Sequence, residues 1–332
     1  MITNTRDRIV EYVTKNRQAR VHDLVGFLGL SHVAVHKQLK ALVNSGVLQK
    51  AGKPPLVFYT LVSKREPSHA KPLLPKAVQS VIDANFLSIT PEGKLLYGIS
   101  GFTYWANLYQ KNQPLLHLAQ KYVKILEQKK EYTAREGWID STVKLKSAFP
   151  KCYVNHLLYQ DIYSYPLFGR TKLAKFVMHA KQAENKKIID QIAILAKPFV
   201  ERIIKRFDIN AVGFIPPTVP RPLQFMDELE RKLNLALPKI DLVKIMAGDI
   251  LVPQKTLAKL EERVINARSS IYLHHIAEPP FSNVLLIDDV AGSGASFNET
   301  ARKLKGIKIG YNRIIAFALV GNIKGYDVIR QM

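Results

Sequence analysis

Cysteine is almost absent from this chain of 332 residues, since Cys152 is the only one. A single cysteine cannot form an internal disulfide, and without cysteine partners it cannot seed a zinc ribbon. Long apolar runs are also missing, because none approaches the ~18 residues that a membrane helix needs. The first 20 residues lack the apolar core of a signal peptide. We therefore expect a cytoplasmic protein that has no membrane partner.

Acidic residues are scarce, with 27 Asp and Glu against 49 Lys and Arg and a net charge of +22. Such a charge indicates partners that carry phosphate, either nucleic acid or phosphorylated metabolites. Apolar residues make up 47% of the chain, which excludes a fully disordered, collagen-like or coiled-coil protein. The length predicts about two domains of ~150 residues, or three if one is small.

The first 65 residues predict a small domain of three helices and a hairpin. Apolar residues recur at helical spacing, and capping residues and glycines mark the helix ends. The predicted elements are a helix capped by Thr5 that ends near Asn16, a helix from about Val21 to Leu28 with a turn at Gly29, a helix capped by Ser31 that ends near Asn44, and the strands Val47–Lys50 and Leu56–Val62 around a turn at 51–55.

This arrangement resembles the winged helix-turn-helix of bacterial repressors. Residues 1–65 hold 11 lysines and arginines against three acidic residues, a net charge of +8. If Val35, Leu39 and Leu42 face the core, the opposite face of the third helix would lie in a DNA groove. The residues expected to contact DNA are Ser31, His32, His36, Lys37 and Lys40 on this helix and Lys50 and Lys53 on the wing.

Two other interpretations of this region stay open. A winged helix can serve only for protein contact or dimerisation, with its basic face in solvent. His32 and His36 also have the i, i+4 spacing of metal ligands, but no third ligand lies nearby in the sequence.

Residues 66–150 predict a linker and a small middle region without an assigned function. Three prolines between Glu66 and Ser80 favour a linker. A hairpin is predicted from Phe86 to Leu96, and an amphipathic helix runs toward Lys130. We expect the aromatic residues here in a core or an interface.

Residues 151–332 alternate predicted strands and helices, which predicts an α/β domain with a mainly parallel sheet and helices on both faces. Ligands of such sheets bind at the carboxyl ends of the strands. The predicted elements are helix Lys186–Arg206, strand Ala211–Ile215, helix Leu223–Leu235, strand Ile240–Ile245, strand Val284–Ile287, helix Ser296–Leu304 and strand Arg313–Val320.

The segment 284–296 carries the most specific chemistry. Four apolar residues predict a buried strand, Asp288 and Asp289 stand at its end, and a loop of small residues opens a helix. Glycines let successive N–H groups turn toward one anion, and the helix N-terminus adds its positive end. The segment therefore predicts a phosphate cradle beside two carboxylates, which suits a sugar phosphate.

Three other motifs fit this segment less well. A Walker loop requires a lysine where Ala295 stands, and a dinucleotide fingerprint would have a third glycine near Phe297. A receiver domain also begins with paired aspartates, but it needs three further strands, and only 43 residues follow Asp289.

The segment instead resembles the 13-residue signature of type I phosphoribosyltransferases, which bind 5-phosphoribosyl-1-pyrophosphate (PRPP). Other segments narrow the resemblance, from about residue 155 to 325, to the ComF-type phosphoribosyltransferases related to competence proteins. They are a strand, proline-containing loop and basic run at 212–224, the residues Gln254, Leu257, Arg263 and Asn266, and a helix that follows 168–170 and carries Lys181. The chain departs from the family in two places. It lacks the four-cysteine zinc ribbon, and in the run Arg221–Gln224 it has lost a glycine that the family's run contains and has gained Pro222, which makes the backbone stiffer.

The resemblance implies a role for each segment. Residues 247–268 would form a flexible flap that closes over the site and excludes water. Mg²⁺ is the implied cofactor, which prefers oxygen ligands and retained waters. The implied catalytic residues are Asp288, Asp289 and Arg221. Asp288 and Asp289 would accept the ribose hydroxyls and help indirectly to place Mg²⁺, and Arg221 would approach the pyrophosphate together with Thr218. The implied residues for the 5-phosphate are Ala291, Gly292, Ser293, Gly294, Ala295 and Ser296.

Two functions follow from these resemblances. The first is a DNA-binding transcriptional regulator whose phosphoribosyltransferase-like domain binds PRPP or a nucleotide as effector. This function is an analogy, at the level of architecture, with purine repressors, which have a winged helix ahead of a phosphoribosyltransferase-like domain. The second is an active phosphoribosyltransferase, in nucleobase or nucleotide metabolism or related to competence, with a DNA-binding appendage. The changed run at 221–224 favours sensing. The expected partners are duplex DNA, PRPP or a nucleotide, and a second copy of the chain in a homodimer.

Overall fold

The computed structural model describes residues 4–62, 74–276, 282–307 and 312–322. The chain divides into two compact units, 1–73 and 74–332. Residues 74–150 therefore belong to the larger unit and do not form one of their own.

The smaller unit contains, within residues 4–62, three helices and an antiparallel pair of strands. They are α1 (Thr5–Asn16), α2 (Val21–Leu28), α3 (His32–Asn44), β1 (Leu48–Lys53) and β2 (Leu56–Leu61). Their apolar faces share one core, which includes Ile9, Leu24, Leu39 and Tyr59. The predicted order of elements is confirmed.

Two details of this unit differ from the prediction. Asn4, and not Thr5, is the N-cap of α1, because its side chain accepts a hydrogen bond from the N–H of Arg6 at 3.3 Å. The predicted turn at 51–55 is shorter, since pairing continues to Lys53 opposite Leu56.

The described residues of the larger unit combine helices with strands. Its helices are α4 (Lys76–Asn85), α5 (Gly98–Tyr109), α6 (Leu115–Glu131), α7 (Thr142–Ala148), α8 (Lys172–Gln182), α9 (Lys186–Phe207), α10 (Phe225–Leu233), α11 (Leu260–Ser270) and α12 (Ala295–Gly306). Its strands are β3 (Leu87–Ile89), β4 (Leu95–Tyr97), β5 (Ile139–Asp140), β6 (His156–Ile162), β7 (Ser164–Tyr165), β8 (Gly169–Arg170), β9 (Ala211–Phe214), β10 (Lys239–Lys244), β11 (Ile271–Ile276), β12 (Asn283–Ala291) and β13 (Arg313–Gly321).

A mostly parallel sheet forms the centre of this unit. In the described part of the chain it has seven strands in the order β11, β10, β9, β12, β13, β6, β5. The five inner strands are parallel, and β11 and β5 add antiparallel edges. The predicted α/β class with a mainly parallel sheet is confirmed.

Helices cover both faces of the sheet, as alternation along β12 shows. Val284 and Leu286 join a core that includes residues of α12 and of α4 to α7. Leu285 and Ile287 point to the opposite core, which α8, α9 and α10 fill. Because successive side chains of a strand point to opposite faces, one apolar run supplies both cores. Most buried apolar side chains between 74 and 150 join the first core, and Leu87 and Trp138 join the second, which explains why these residues belong to this unit.

The predicted hairpin and amphipathic helix of the middle region are confirmed as β3–β4 and α6. None of the helices in the described ranges combines the length and the apolar character needed to cross a membrane.

Candidate functional site

Asp288 and Asp289 lie inside β12, which continues to Ala291 rather than ending at Ile287 as predicted. The extension exists because β13 continues alongside, with Ala291 opposite Gly321. On its other side, pairing with β9 stops where Ile287 meets Phe214. Beyond that point the sheet opens, and both carboxylates stand at the carboxyl end of the neighbouring strand β9, where ligands of parallel sheets bind.

The small-residue loop leads directly into α12, which begins at Ala295, one residue earlier than predicted. Gly294 is its N-cap, at φ 78°, and has no side chain to cap the helix. The hydroxyl of Ser293 accepts a hydrogen bond from the N–H of Ala295 at 3.3 Å. The other N–H groups of the first turn have no intrahelical acceptors and carry the positive end of the helix dipole. This end of α12 can therefore receive an anion.

Two glycines of the loop have different structural roles. A Cβ on Gly294 would lie 2.3 Å from Cδ1 of Leu145, so this position requires glycine for packing as well as for its positive φ. A Cβ on Gly292 would meet only Nη1 of Arg263, at 3.4 Å. Gly292 thus keeps open the space between the loop backbone and an arginine.

Lys181 and Asp289 form an ion pair in the site, with Nζ donating a hydrogen bond to Oδ2. Burial opposes the charge of Lys181, but the carboxylate of Asp289 outweighs it and raises the pKa of the lysine. Burial also acts against Asp289, and the ammonium of Lys181 outweighs it and lowers the pKa of that carboxyl. Burial and the adjacent Asp289 raise the pKa of Asp288 well above its usual value. The ion pair therefore favours ionisation of Asp289, and Asp288 is the more readily protonated of the two carboxyls.

Sequence reasoning missed Lys244, the last residue of β10. Its Nζ donates a hydrogen bond to the hydroxyl of Thr218 at 2.6 Å, and burial lowers its pKa. The available signal was its place at the carboxyl end of a strand beside β9, where ligand-binding residues collect.

Arg263 is a buried cation of the predicted flap, with 6% of its surface exposed. Its Nε and Nη2 both donate to the carbonyl of Leu257, at 3.0 and 2.9 Å, which leaves Nη1 toward Gly292. Burial lowers its pKa. Among the residues described, no carboxylate lies within ion-pair distance of this guanidinium.

The predicted flap is folded against the site through α11 and the short helical turn Gln254–Thr256. Gln254 donates to the carbonyl of Arg263 at 2.9 Å and to Oδ1 of Asn266 at 3.0 Å. Asn266 donates in turn to the carbonyl of Val252 at 3.1 Å. The residues quoted for the family resemblance are thus the ones that hold this segment in shape.

These elements enclose a pocket of about 290 Å³. Its lining includes every residue predicted for the phosphorylated ligand: Thr218, Arg221, Asp288, Asp289, Ala291, Gly292, Ser293, Gly294, Ala295 and Ser296. The same lining holds five basic side chains against two carboxylates: Lys181, Arg221, Lys244, Lys255 and Arg263. The structure brings the predicted residues together, and the excess of cations suits a polyanion.

The donor set fits Mg²⁺ only if a ligand contributes most of the oxygens. Asp288 and Asp289 offer carboxylate oxygens, but Oδ2 of Asp289 already accepts from Lys181. No cluster of three or more His, Cys, Asp or Glu side chains suited to a metal occurs in the described ranges. Mg²⁺ is commonly held by one or two carboxylates together with substrate phosphates and waters.

In the smaller unit, the side chains predicted to contact DNA form an exposed surface. Ser31 is the N-cap of α3 and accepts a hydrogen bond from the N–H of Ala34 at 3.3 Å. Val35, Leu39 and Leu42 are buried, as predicted. The exposed residues are His32, His36, Lys37, Lys40, Lys50 and Lys53.

No family model matches the chain, and no curated protein matches it. Among solved structures, a hypoxanthine phosphoribosyltransferase from Staphylococcus aureus is similar at 16% identity and a TM-score of 0.24, over 42% of this chain and 69% of that one. An adenine phosphoribosyltransferase from Leishmania tarentolae is similar at 13% identity and a TM-score of 0.21, over 50% of this chain and 91% of that one. TM-scores this low establish no shared fold, so the assignment of function depends on the site.

Proposed function

We propose that the larger unit binds PRPP and acts as a phosphoribosyltransferase, in the manner of the ComF-type enzymes that its motifs resemble. The observation that carries this proposal is the single pocket that joins the N-terminus of α12, two carboxylates and five basic side chains. A sugar phosphate needs donors for its phosphate and acceptors for its hydroxyls, and a pyrophosphate needs further cations. The pocket offers all three kinds of group.

Each part of PRPP has a counterpart in this pocket. The backbone from Ala291 to Ser296 holds the 5-phosphate at the helix N-terminus. Asp288 and Asp289 accept hydrogen bonds from the ribose hydroxyls. Arg221, Lys244 and Arg263 supply positive charge to the pyrophosphate, and burial strengthens such charge-assisted hydrogen bonds. Mg²⁺, when bound, would neutralise charge on the pyrophosphate.

In the transfer, the bond between ribose C1 and the pyrophosphate oxygen breaks and a nitrogen of the acceptor bonds to C1. The acceptor proton passes to solvent, and pyrophosphate leaves with the bonding electrons. Charge develops on the leaving oxygen, so a cation that strengthens its contact in the transition state accelerates the step. Arg221 is the residue assigned to this task, because it lines the pocket and has no carboxylate partner among the residues described.

The test is pyrophosphate release from PRPP in the presence of Mg²⁺ and a panel of nucleobases. We expect release that depends on one acceptor and disappears in Asp288→Asn. Binding of PRPP without release from any acceptor would contradict transfer and would leave PRPP as an effector.

A second function, DNA binding by the smaller unit as a winged helix, rests on the exposed basic surface of α3 and β1. Lys37 and Lys40 lie on α3 away from its buried residues, and Lys50 and Lys53 lie on β1. With a PRPP-binding unit in the same chain, such a domain would make a regulator that responds to PRPP. A mobility shift of duplex DNA by the full chain tests this, and unaltered migration at low salt would contradict it.

A further inference from the structure

A second cavity lies in the larger unit, apart from the pocket that Asp288, Asp289 and the N-terminus of α12 line. It has a volume of about 1200 Å³ and shares no lining residue with that pocket. Its walls come from α5, α6, the β7–β8 hairpin and the start of α8. Ile162, the last residue of β6, lines it, so the cavity also stands at the carboxyl end of a parallel strand.

Aromatic side chains form much of this cavity. The rings of Trp105 and Phe168 are 4.9 Å apart, and both residues are nearly buried. Tyr109, Tyr132 and Leu167 also line it, yet they are 70%, 56% and 46% exposed. Large apolar side chains that remain exposed around a concavity are typical of ligand sites.

Two cations face this cavity without a carboxylate partner. The Nζ of Lys175 donates to the carbonyl of Leu87 at 2.5 Å and lies 5.0 Å from the ring centre of Phe86. The Nε of Arg170 donates to the hydroxyl of Tyr163 at 3.0 Å. Neither cation has a carboxylate within ion-pair distance in the part of the chain that the structure describes.

Other charges at the cavity are compensated or solvated. Lys129 is paired with Asp161 at 2.5 Å, and Glu131 is exposed to water. Burial, together with the charge of Arg170, lowers the pKa of Lys175 to about 8. The half-buried cations Lys175 and Arg170 repel each other, and this repulsion destabilises the folded protein. An anionic ligand bound between them would offset the repulsion.

We propose that this cavity is a second small-molecule site, which binds a planar aromatic ligand that carries an anionic group. The rings of Trp105 and Phe168 supply apolar contact to the planar part, and Arg170 and Lys175 bind the anion. The site uses none of the residues assigned to PRPP, so it does not depend on the proposed transfer.

The test uses 2-naphthoate as a planar anion and 2-naphthamide as its uncharged counterpart, with calorimetric titration of the full chain. We expect naphthoate to bind about tenfold or more tightly than naphthamide, the size of a charge-assisted hydrogen bond. Lys175→Met and Arg170→Gln should each remove most of that difference. Lys172→Met is the matched control on the same helix, because Lys172 does not line the cavity, and it should bind naphthoate as the parent does.

Tryptophan fluorescence localises the binding, because the chain has only two tryptophans. Trp138 is buried away from the cavity lining, so Trp138→Phe leaves Trp105 as the reporter. Naphthoate should change the emission of this variant with the same affinity as in calorimetry. Equal affinity for the two probes, unchanged binding in both cation variants, or unchanged Trp105 emission would overturn the proposal. If Lys175→Met does not fold, Arg170→Gln and the comparison of the two probes still decide it.

Discussion

Lys181 on α8 and Asp289 in β12 form an ion pair at the carboxyl end of the central sheet. The carboxylate of Asp289 is buried, whereas the lysine side chain is 40% exposed. Of the two adjacent carboxylates, that of Asp289 is therefore already paired with a cation of the protein, Lys181. Asp288, with its raised pKa, is the carboxyl that a ligand can recruit.

This asymmetry predicts opposite effects of two isosteric substitutions on the stability of the ligand-free protein. A raised pKa in the folded state means that ionised Asp288 opposes folding, and this cost grows as pH rises through the raised value. Asp288→Asn should therefore raise the free energy of unfolding at pH 7. The pKa of Asp289 is lowered, so its contribution is present at neutral pH and is lost as pH falls through the lowered value. Asp289→Asn should destabilise at pH 7, and urea unfolding of both variants measures the contrast.

Both variants should lose affinity for PRPP, because each removes an acceptor for a ribose hydroxyl. If Asp288→Asn has a higher free energy of unfolding and no longer binds PRPP, then the carboxyl that binds the ligand is one that destabilises the folded protein. Destabilisation by both substitutions to the same degree would contradict the assigned asymmetry.

The two loop glycines should respond differently to alanine. Gly294→Ala places a Cβ at positive φ and against Leu145, so we expect a loss of about 1–3 kcal/mol in unfolding free energy. Gly292→Ala meets only Nη1 of Arg263 and should keep stability within about 0.5 kcal/mol, as for substitutions that create no clash. It should weaken PRPP binding, because the methyl group enters the space between the backbone and Arg263. Thermal unfolding and PRPP titration of both variants check this, and full PRPP affinity in Gly292→Ala would contradict the assigned site.

Arg221 should affect turnover more than binding. Arg221→Ala should lower kcat about 100-fold or more, in line with removal of a group that stabilises developing charge, and should change the affinity for Mg²⁺-PRPP only a few-fold. Arg313→Ala is a control at the opposite end of the sheet and should leave both quantities unchanged. Steady-state rates of pyrophosphate release, combined with titration of PRPP, separate the two effects. A loss of affinity with kcat unchanged would assign Arg221 to ground-state binding instead.

DNA binding by the smaller unit should depend steeply on salt. Each phosphate neutralised contributes ~0.9 to the slope of log affinity against log salt. If Lys37 and Lys40 each neutralise one phosphate, the double variant Lys37→Gln/Lys40→Gln should reduce the magnitude of that slope by about twice this value. Lys121→Gln, an exposed lysine of α6, should leave it unchanged. If PRPP is an effector, it should shift DNA affinity by about 1–3 kcal/mol, and DNA should shift PRPP affinity equally. A slope that is the same in the double variant would remove these lysines from the interface.

The sequence predicted the central part of this site because its chemistry is contiguous. Residues 288–296 adjoin in the chain, so a strand followed by a helix suffices to bring the carboxylates and the loop together. Lys244 lies on β10 and Lys181, the ion-pair partner of Asp289, lies on α8. Both are distant from 288–296 in the sequence, and only the order of the strands brings them to the same edge of the sheet. Strands β5, β6 and β11 were not predicted, since none of them carries a long apolar run, and β5 and β11 also pair antiparallel outside the alternating pattern.

Titration calorimetry of the full chain with PRPP in the presence of Mg²⁺ tests the central claim most directly, with ribose 5-phosphate and inorganic pyrophosphate as partial ligands. We expect one PRPP to bind per chain and each partial ligand to bind more weakly, because each fills only part of a pocket lined by Ser293, Arg221 and Lys244. Gly292→Ala should weaken the binding of PRPP, because its methyl group enters the space between the loop backbone and Arg263. Absence of PRPP binding to the parent protein, or equal binding by the parent and Gly292→Ala, would contradict the claim.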